Sequence, residues 1–211
     1  MKYSHIVFDI DGTLINNAEA LLSSLQEVMK EETGQIIPME QLAFSMGITG
    51  EDTLSKLQVK DVDASMKRWI EILANYHHLV SVYDGISEVL EQLKLQGYHL
   101  GIVSSKPRAV YKDDFAPLAI AAYFETVICA DDTVEHKPTA APLLKYMEKA
   151  SASCKEILYI GDSDYDRQCA ENAKTDFAAA GWNPQVAAKS AVCFKHPSEL
   201  LAYLDDALTN E

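Results

Sequence analysis

Five short runs, HIVFDI (5–10), HLGIVSS (99–105), TVICA (126–130), EILYIGD (156–162) and TDFAAA (175–180), are apolar almost without interruption. A strand covered on one face alternates apolar and polar residues, so near-continuous runs of this length predict strands buried on both faces, as in a parallel sheet. Between them lie segments of helical period. In GISEVLEQLKLQG (85–97), Ile86, Val89, Leu90 and Leu93 share one face and Gly97 marks the stop. Strand alternating with helix predicts an α/β fold built on an open, doubly wound parallel sheet.

Residues 17–79 break this alternation. They hold helical stretches only, with starts marked by Pro38 and by Asp61 or Asp63 and stops by Gly34 and Gly47. The simplest organisation is a core domain of residues 1–16 and 80–211, with an all-helical domain of residues 17–79 inserted after the first strand. A chain of 211 residues can hold one such core and its insertion.

The net charge of −14 gives a field that repels polyanions, which argues against nucleic acid and anionic membrane as partners. No apolar run approaches the roughly 20 residues of a membrane helix, and no signal-peptide pattern precedes the first strand. The four cysteines, Cys129, Cys154, Cys169 and Cys193, are scattered without a C-x-x-C pair. The expectation is a cytoplasmic protein with reduced, structural thiols, a monomer or weak homodimer.

Ligands of open α/β sheets bind at the carboxyl ends of the strands, and there the polar residues of this chain collect. The first run delivers Asp9 and Asp11, the second Ser104, Ser105 and Lys106, and the fourth Asp162, Asp164 and Asp166. Lys137 precedes Pro138, which favours extended backbone. Carboxylates crowded at one sheet edge repel one another unless a cation joins them. Oxygen ligands without a histidine or cysteine cluster favour Mg²⁺. A hard cation, a lysine, a serine hydroxyl and turn amides together suit a phosphate.

The stretches DIDGTL (9–14), VSS (103–105), HKP (136–138) and GDSDYD (161–166) resemble the four ordered motifs of the haloacid dehalogenase (HAD) superfamily, and the helical insert resembles its C1-type cap. The resemblance implies a Rossmann-like core and assigns roles residue by residue. Asp9 matches the nucleophile that forms an aspartyl-phosphate. Asp11 matches the general acid and base, its backbone carbonyl helping to bind Mg²⁺. Ser104 matches the hydroxyl that binds the phosphoryl group, and Lys137 the lysine that offsets its charge. Asp162 matches a direct metal ligand and Asp166 the second acidic position, so Asp9, Asp11, Asp162 and Asp166 make up the implied metal set. Gly12, Thr13 and Ser105 join Ser104 and Lys137 around the phosphate. Asp164 matches no family role.

An acid–base aspartate argues against the dehalogenases of the superfamily and for phosphoryl transfer. The stretch GITGEDTLSKL (47–57) resembles the cap segment of β-phosphoglucomutase, yet Gly50 stands where the mutase has a phosphate-clamping arginine and Leu21 where it has a histidine. YDGISEVLEQLKLQGYHLGIVSSKPR (83–108) and HKPTAAPLL (136–144) resemble the phosphoglycolate phosphatase-like group. The expectation is a Mg²⁺-dependent phosphatase acting on a small phosphorylated metabolite. The alternatives are a phosphosugar mutase and a non-catalytic binding or regulatory protein on the same fold. Less specific readings stand beside these: D-G is a common turn dipeptide, Trp69 and Tyr76 suit helix packing, His77 and His78 suit a helix end, and His136 suits either the site or the surface.

Overall fold

The computed structural model describes residues 2–186 and 188–209. In chain order its elements are β1 (His5–Phe8), β2 (Ile15–Asn16), α1 (Ala18–Thr33), α2 (Met39–Leu42), α3 (Gly50–Lys56), α4 (Val62–Leu73), β3 (Ser81–Val82), α5 (Ile86–Leu95), β4 (His99–Val103), α6 (Arg108–Asp114), β5 (Thr126–Ile128), α7 (Ala141–Ala150), β6 (Ile157–Gly161), α8 (Asp164–Ala173), β7 (Asp176–Ala180), β8 (Cys193–Phe194) and α9 (Glu199–Thr209). Six strands form one sheet in the order β5-β4-β1-β6-β7-β8, with every pairing parallel. No helix among the described residues is long and apolar enough to cross a membrane.

The unbroken apolar runs have a direct cause. Ile6 and Phe8 of β1 face a cluster with Leu100, Ile102, Leu158 and α5, whereas Val7 faces the opposite cluster with Tyr159, Leu143 and Cys169. Both faces of the central strand are therefore dry, and each fully buried Leu, Ile or Val contributes about 1.5–3 kcal/mol. In α5, Ile86, Val89, Leu90 and Leu93 form the buried stripe read from the sequence.

Residues 18–79 build no part of this sheet. Leu25, Met29, Leu54, Trp69 and Ile72 pack on one another in a cluster of their own, joined from below by Val110 of α6. Local signals shape these helices: Gly34 closes α1 in the left-handed conformation, Thr49 caps α3, and Asp61, not Asp63, caps α4 by accepting from Ala64 N at 3.0 Å. The segment bearing His77 and His78 is a 3-10 helix, Ala74–Leu79. Two short strands lie where the chain leaves and rejoins the sheet region: Ile15 pairs with Val82 and Asn16 with Ser81, antiparallel. The short β8 and the helix α9 were not anticipated from the apolar runs, and β1 stops at Phe8, two residues before the first run ends.

Candidate active site

Asp9 follows β1 directly. Its N–H donates to Ile160 O at 2.9 Å, continuing the sheet ladder, so its side chain stands at the carboxyl edge. The chain then turns sharply: the N–H groups of Leu14 and Ile15 both donate to Ile10 O, and Gly12 adopts φ +78°. A Cβ on Gly12 would lie 2.2 Å from Asp162 Oδ2, so the turn can approach β6 this closely only with glycine.

Lys137 Nζ donates to Asp9 Oδ1 and to Asp166 Oδ1, each at 2.7 Å, and all three residues are buried. Asp166 is held from every side. Tyr159 OH donates to its Oδ1 at 2.7 Å, and Ser163 donates to its Oδ2 through Oγ at 2.5 Å and N at 3.1 Å. Ser163 is also the N-cap of α8 and accepts from Asp166 N, so one capping box both starts the helix and aims the carboxylate. Asp162 accepts from Asn183 Nδ2 at 2.8 Å.

Burial pushes the Asp9 carboxyl up to about 7, with Lys137 opposing and Asp166 and Asp11 adding to the rise. Burial likewise raises Asp162 well above the ordinary carboxylate range, helped by the charges of Asp166 and Asp9. Burial alone would lower the Lys137 ammonium, but Asp166 and Asp9 hold its pKa above the usual lysine value.

Oxygens of Asp9, Asp162 and Asp166 all lie within 4.8 Å of one another. Three buried carboxylates face one ammonium, and an all-oxygen donor set with that charge excess fits a hard divalent cation. The Asp11 carboxylate is not in this cluster, which leaves its backbone carbonyl as the contribution implied by the family resemblance. It pairs instead with Lys106 Nζ at 2.8 Å and accepts from Asn17 Nδ2. Lys106, buried, also holds Asp114 at 2.6 Å. Two carboxylates two positions apart thus occupy different electrostatic surroundings.

Ser104 is buried at the end of β4, where its Oγ accepts from Lys106 N at 3.2 Å. Ser105 faces the helical insert: its hydroxyl donates to Gly47 O at 3.0 Å. Thr13 Oγ1 is buried with no partner among the described residues, a hydroxyl donor free for an oxyanion. Asp164 pairs with Arg167 at 2.7 Å on the exposed side of α8, a surface role. His136 lines no part of the cavity described next. Sequence reasoning noted Lys106 without a role and missed Asn17, Tyr159, Ser163 and Asn183. Ser163 alone had a legible signal, the S-x-x-D spacing of a helix start.

A cavity of about 70 Å³ lies between the strand ends and the insert, with Asp9, Asp11, Ser105 and Lys106 at its floor. Above them the insert supplies Leu21, Ile48, Met66, Trp69 and Ile70, with Gly47 packed closely on Ser163 and Gly50 on Met66.

The charge excess has a measurable consequence. A carboxyl raised by burial binds its proton more tightly folded than unfolded, so without a cation stability falls as pH rises from near 4 through about 7. A divalent cation held by these oxygens would bind the ionised cluster. Melting with and without Mg²⁺ should therefore show a larger rise in Tm at pH 8 than at pH 5, and an equal rise at both would reject the cluster as the binding site.

A parallel sheet whose strand ends gather carboxylates and a lysine beneath a helical layer is the arrangement of an α/β enzyme with a Rossmann-like core. Over residues 6–180 the sequence matches the family described as haloacid dehalogenase-like hydrolase, and the chain belongs to that family. Among its curated relatives, pyrophosphatase PpaX from Bacillus mycoides (strain KBAB4) and from Bacillus cereus (strain G9842) are each 31% identical over 183 residues, covering 86% of this chain and 85% of theirs. Among solved structures, a Lactobacillus plantarum protein provisionally named phosphoglycolate phosphatase shares 29% identity at a TM-score of 0.86, covering 96% of this chain and 99% of its own. CbbY from Rhodobacter sphaeroides, solved in complex with phosphate, shares the fold at a TM-score of 0.81 and 14% identity, covering 94% of this chain and 96% of its own. The chain is an enzyme of the HAD hydrolase family, of the phosphatase kind.

Proposed function

We propose that the chain is a Mg²⁺-dependent phosphatase that hydrolyses small phosphomonoesters through an aspartyl-phosphate on Asp9, with residues 17–79 acting as a cap over a core of residues 1–16 and 80–211. The observation that carries this reading is the contrast between the two aspartates. Asp9 is buried against Lys137 as a member of the carboxylate cluster, while Asp11 stands outside that cluster in a separate ion pair with Lys106. Such a split gives the two carboxylates different partners and so suits them to different roles.

In the first step an Asp9 oxygen attacks phosphorus, the bond to the leaving oxygen breaks, and Asp11 gives that oxygen its proton. In the second, Asp11 takes a proton from water, the water oxygen attacks phosphorus, and Asp9 departs as carboxylate with release of inorganic phosphate. Bound Mg²⁺, held by Asp9, Asp162 and the Asp11 backbone carbonyl with Asp166 behind them orienting Lys137, would neutralise the phosphoryl oxygens. Lys137 opposes the effect of burial on Asp9 and orients its carboxylate. Ser104, Thr13 and the Gly12 turn lie on the phosphate side, whereas the Ser105 hydroxyl is taken by Gly47 O.

Hydrolysis is favoured over the mutase reaction because Gly50 and Leu21 both line the cavity and neither can hold a second phosphate. The test is phosphate release from a panel of phosphomonoesters and pyrophosphate with Mg²⁺ and with chelator. Release should require Mg²⁺, and Asp11→Asn should slow it by about 100-fold or more in the steady state. Unchanged kinetics in that variant would remove Asp11 as acid and base.

A further inference from the structure

Resting on the phosphatase reading, we propose that the leaving group of the substrate is small, uncharged and apolar. The chain would then prefer an alkyl or aryl phosphomonoester over pyrophosphate, phosphoglycolate or a hydroxyl-rich sugar phosphate. Once the phosphoryl group lies against Asp9, the rest of the substrate must point toward the insert, and the insert meets it with Leu21, Ile48, Met66, Trp69 and Ile70.

Nothing in this wall can pair with a second negative charge. Lys30, Lys56, Lys60, Lys67 and Arg68 of the insert are exposed and line no part of the cavity. Arg68 is committed to Glu31 and Glu71, and Lys56 lies near the rings of Phe44 and Tyr165. The one cation at the cavity floor, Lys106, is already matched by two carboxylates, Asp11 and Asp114. A second phosphate or carboxylate on the substrate would therefore be desolvated without a counter-charge.

Hydroxyl-rich groups fare little better. Trp69 Nε1 donates to Ser24 Oγ at 2.9 Å, so its indole offers the cavity carbon only. Ser105 Oγ is spent on Gly47 O, which leaves Ser45 as the free hydroxyl on the insert side. Gly50 does not leave room for a charged group either, because Met66 Sδ lies 2.6 Å from where a Cβ would stand. Leu21, Met66, Trp69 and Ile70 are thus the specificity-determining residues of this proposal.

The experiment measures initial rates of phosphate release by the full chain with Mg²⁺, from propyl and phenyl phosphate against phosphoglycolate, pyrophosphate and glucose 6-phosphate. The expected result is a kcat/KM for propyl or phenyl phosphate on the order of 100-fold above the other three. Ile70→Lys places an ammonium in the wall at a part-exposed position and should shift the ratio toward phosphoglycolate by about tenfold, with Leu21→Lys as the second variant if the first fails to fold. Faster release from pyrophosphate, phosphoglycolate or glucose 6-phosphate would overturn the leaving-group proposal and leave the phosphatase reading standing. Release from none of the five would overturn the phosphatase reading, and the proposal with it.

Discussion

Asp9→Asn should lower phosphate release by roughly four orders of magnitude or more while the protein stays folded. The amide has the shape of the carboxylate but no charge with which to attack phosphorus, and no covalent intermediate can form on it. Folding should survive because Lys137 keeps its second partner, Asp166, at 2.7 Å, and because a carboxylate that burial pushes up to about 7 is costly to keep ionised. Without Mg²⁺ the variant should melt at or above the parent's temperature at pH 8. With Mg²⁺ it should gain less than the parent, since one of three clustered carboxylates is gone. The measurement is a phosphate-release time course on a preparation free of parent enzyme, paired with a melt. Appreciable turnover from a folded variant would remove Asp9 as nucleophile and with it the covalent route.

The alternation of apolar runs and helical stripes made the sheet and most of its helices legible, because burial on both faces of β1, β4 and β6 leaves no polar residue inside the run. Strands β1 and β7 were found for the same reason, with ends displaced by one or two residues where the ladder gives way to turns. β8 escaped notice because two residues, one of them exposed, make no pattern. Asp9, Lys137, Asp162 and Asp166 were legible as strand-end and motif residues, and the structure brings them together. What supports them was not legible. Tyr159 reads as a core aromatic within an apolar run, yet its hydroxyl holds Asp166. Asn183 reads as a turn residue beyond the last apolar run, and only the fold carries it to Asp162. Lys106 was visible but could not be paired, since its partner Asp114 lies at the far end of α6 and Asp11 across the sheet edge. Pairings between distant segments depend on which strands are neighbours, and the order β4-β1-β6 is not written in any local pattern.

Lys137→Met should be the most destabilising single change at the site. The ammonium is buried between Asp9 and Asp166, and removing one partner of a buried ion pair typically costs about 3–5 kcal/mol because the other charge stays desolvated. For a chain of this size that corresponds to a fall in Tm of about 10 °C or more. Methionine fills much the same space, so the loss reports charge more than packing. Two further measurements separate this cause from general damage. Mg²⁺ should recover more of the lost Tm in Lys137→Met than it adds to the parent, because the variant's carboxylates have no other cation. Adding Asp166→Asn should restore stability beyond the sum of the single changes, since it removes a charge that the lysine no longer matches. Activity should stay low in both, by on the order of 100-fold, because neither variant restores a positive group beside Asp9 to oppose the transferring phosphoryl charge. A Lys137→Met protein that melts like its parent without Mg²⁺ would mean that the three carboxylates are not held ionised by this lysine, and the electrostatic basis assigned to the nucleophile would fall.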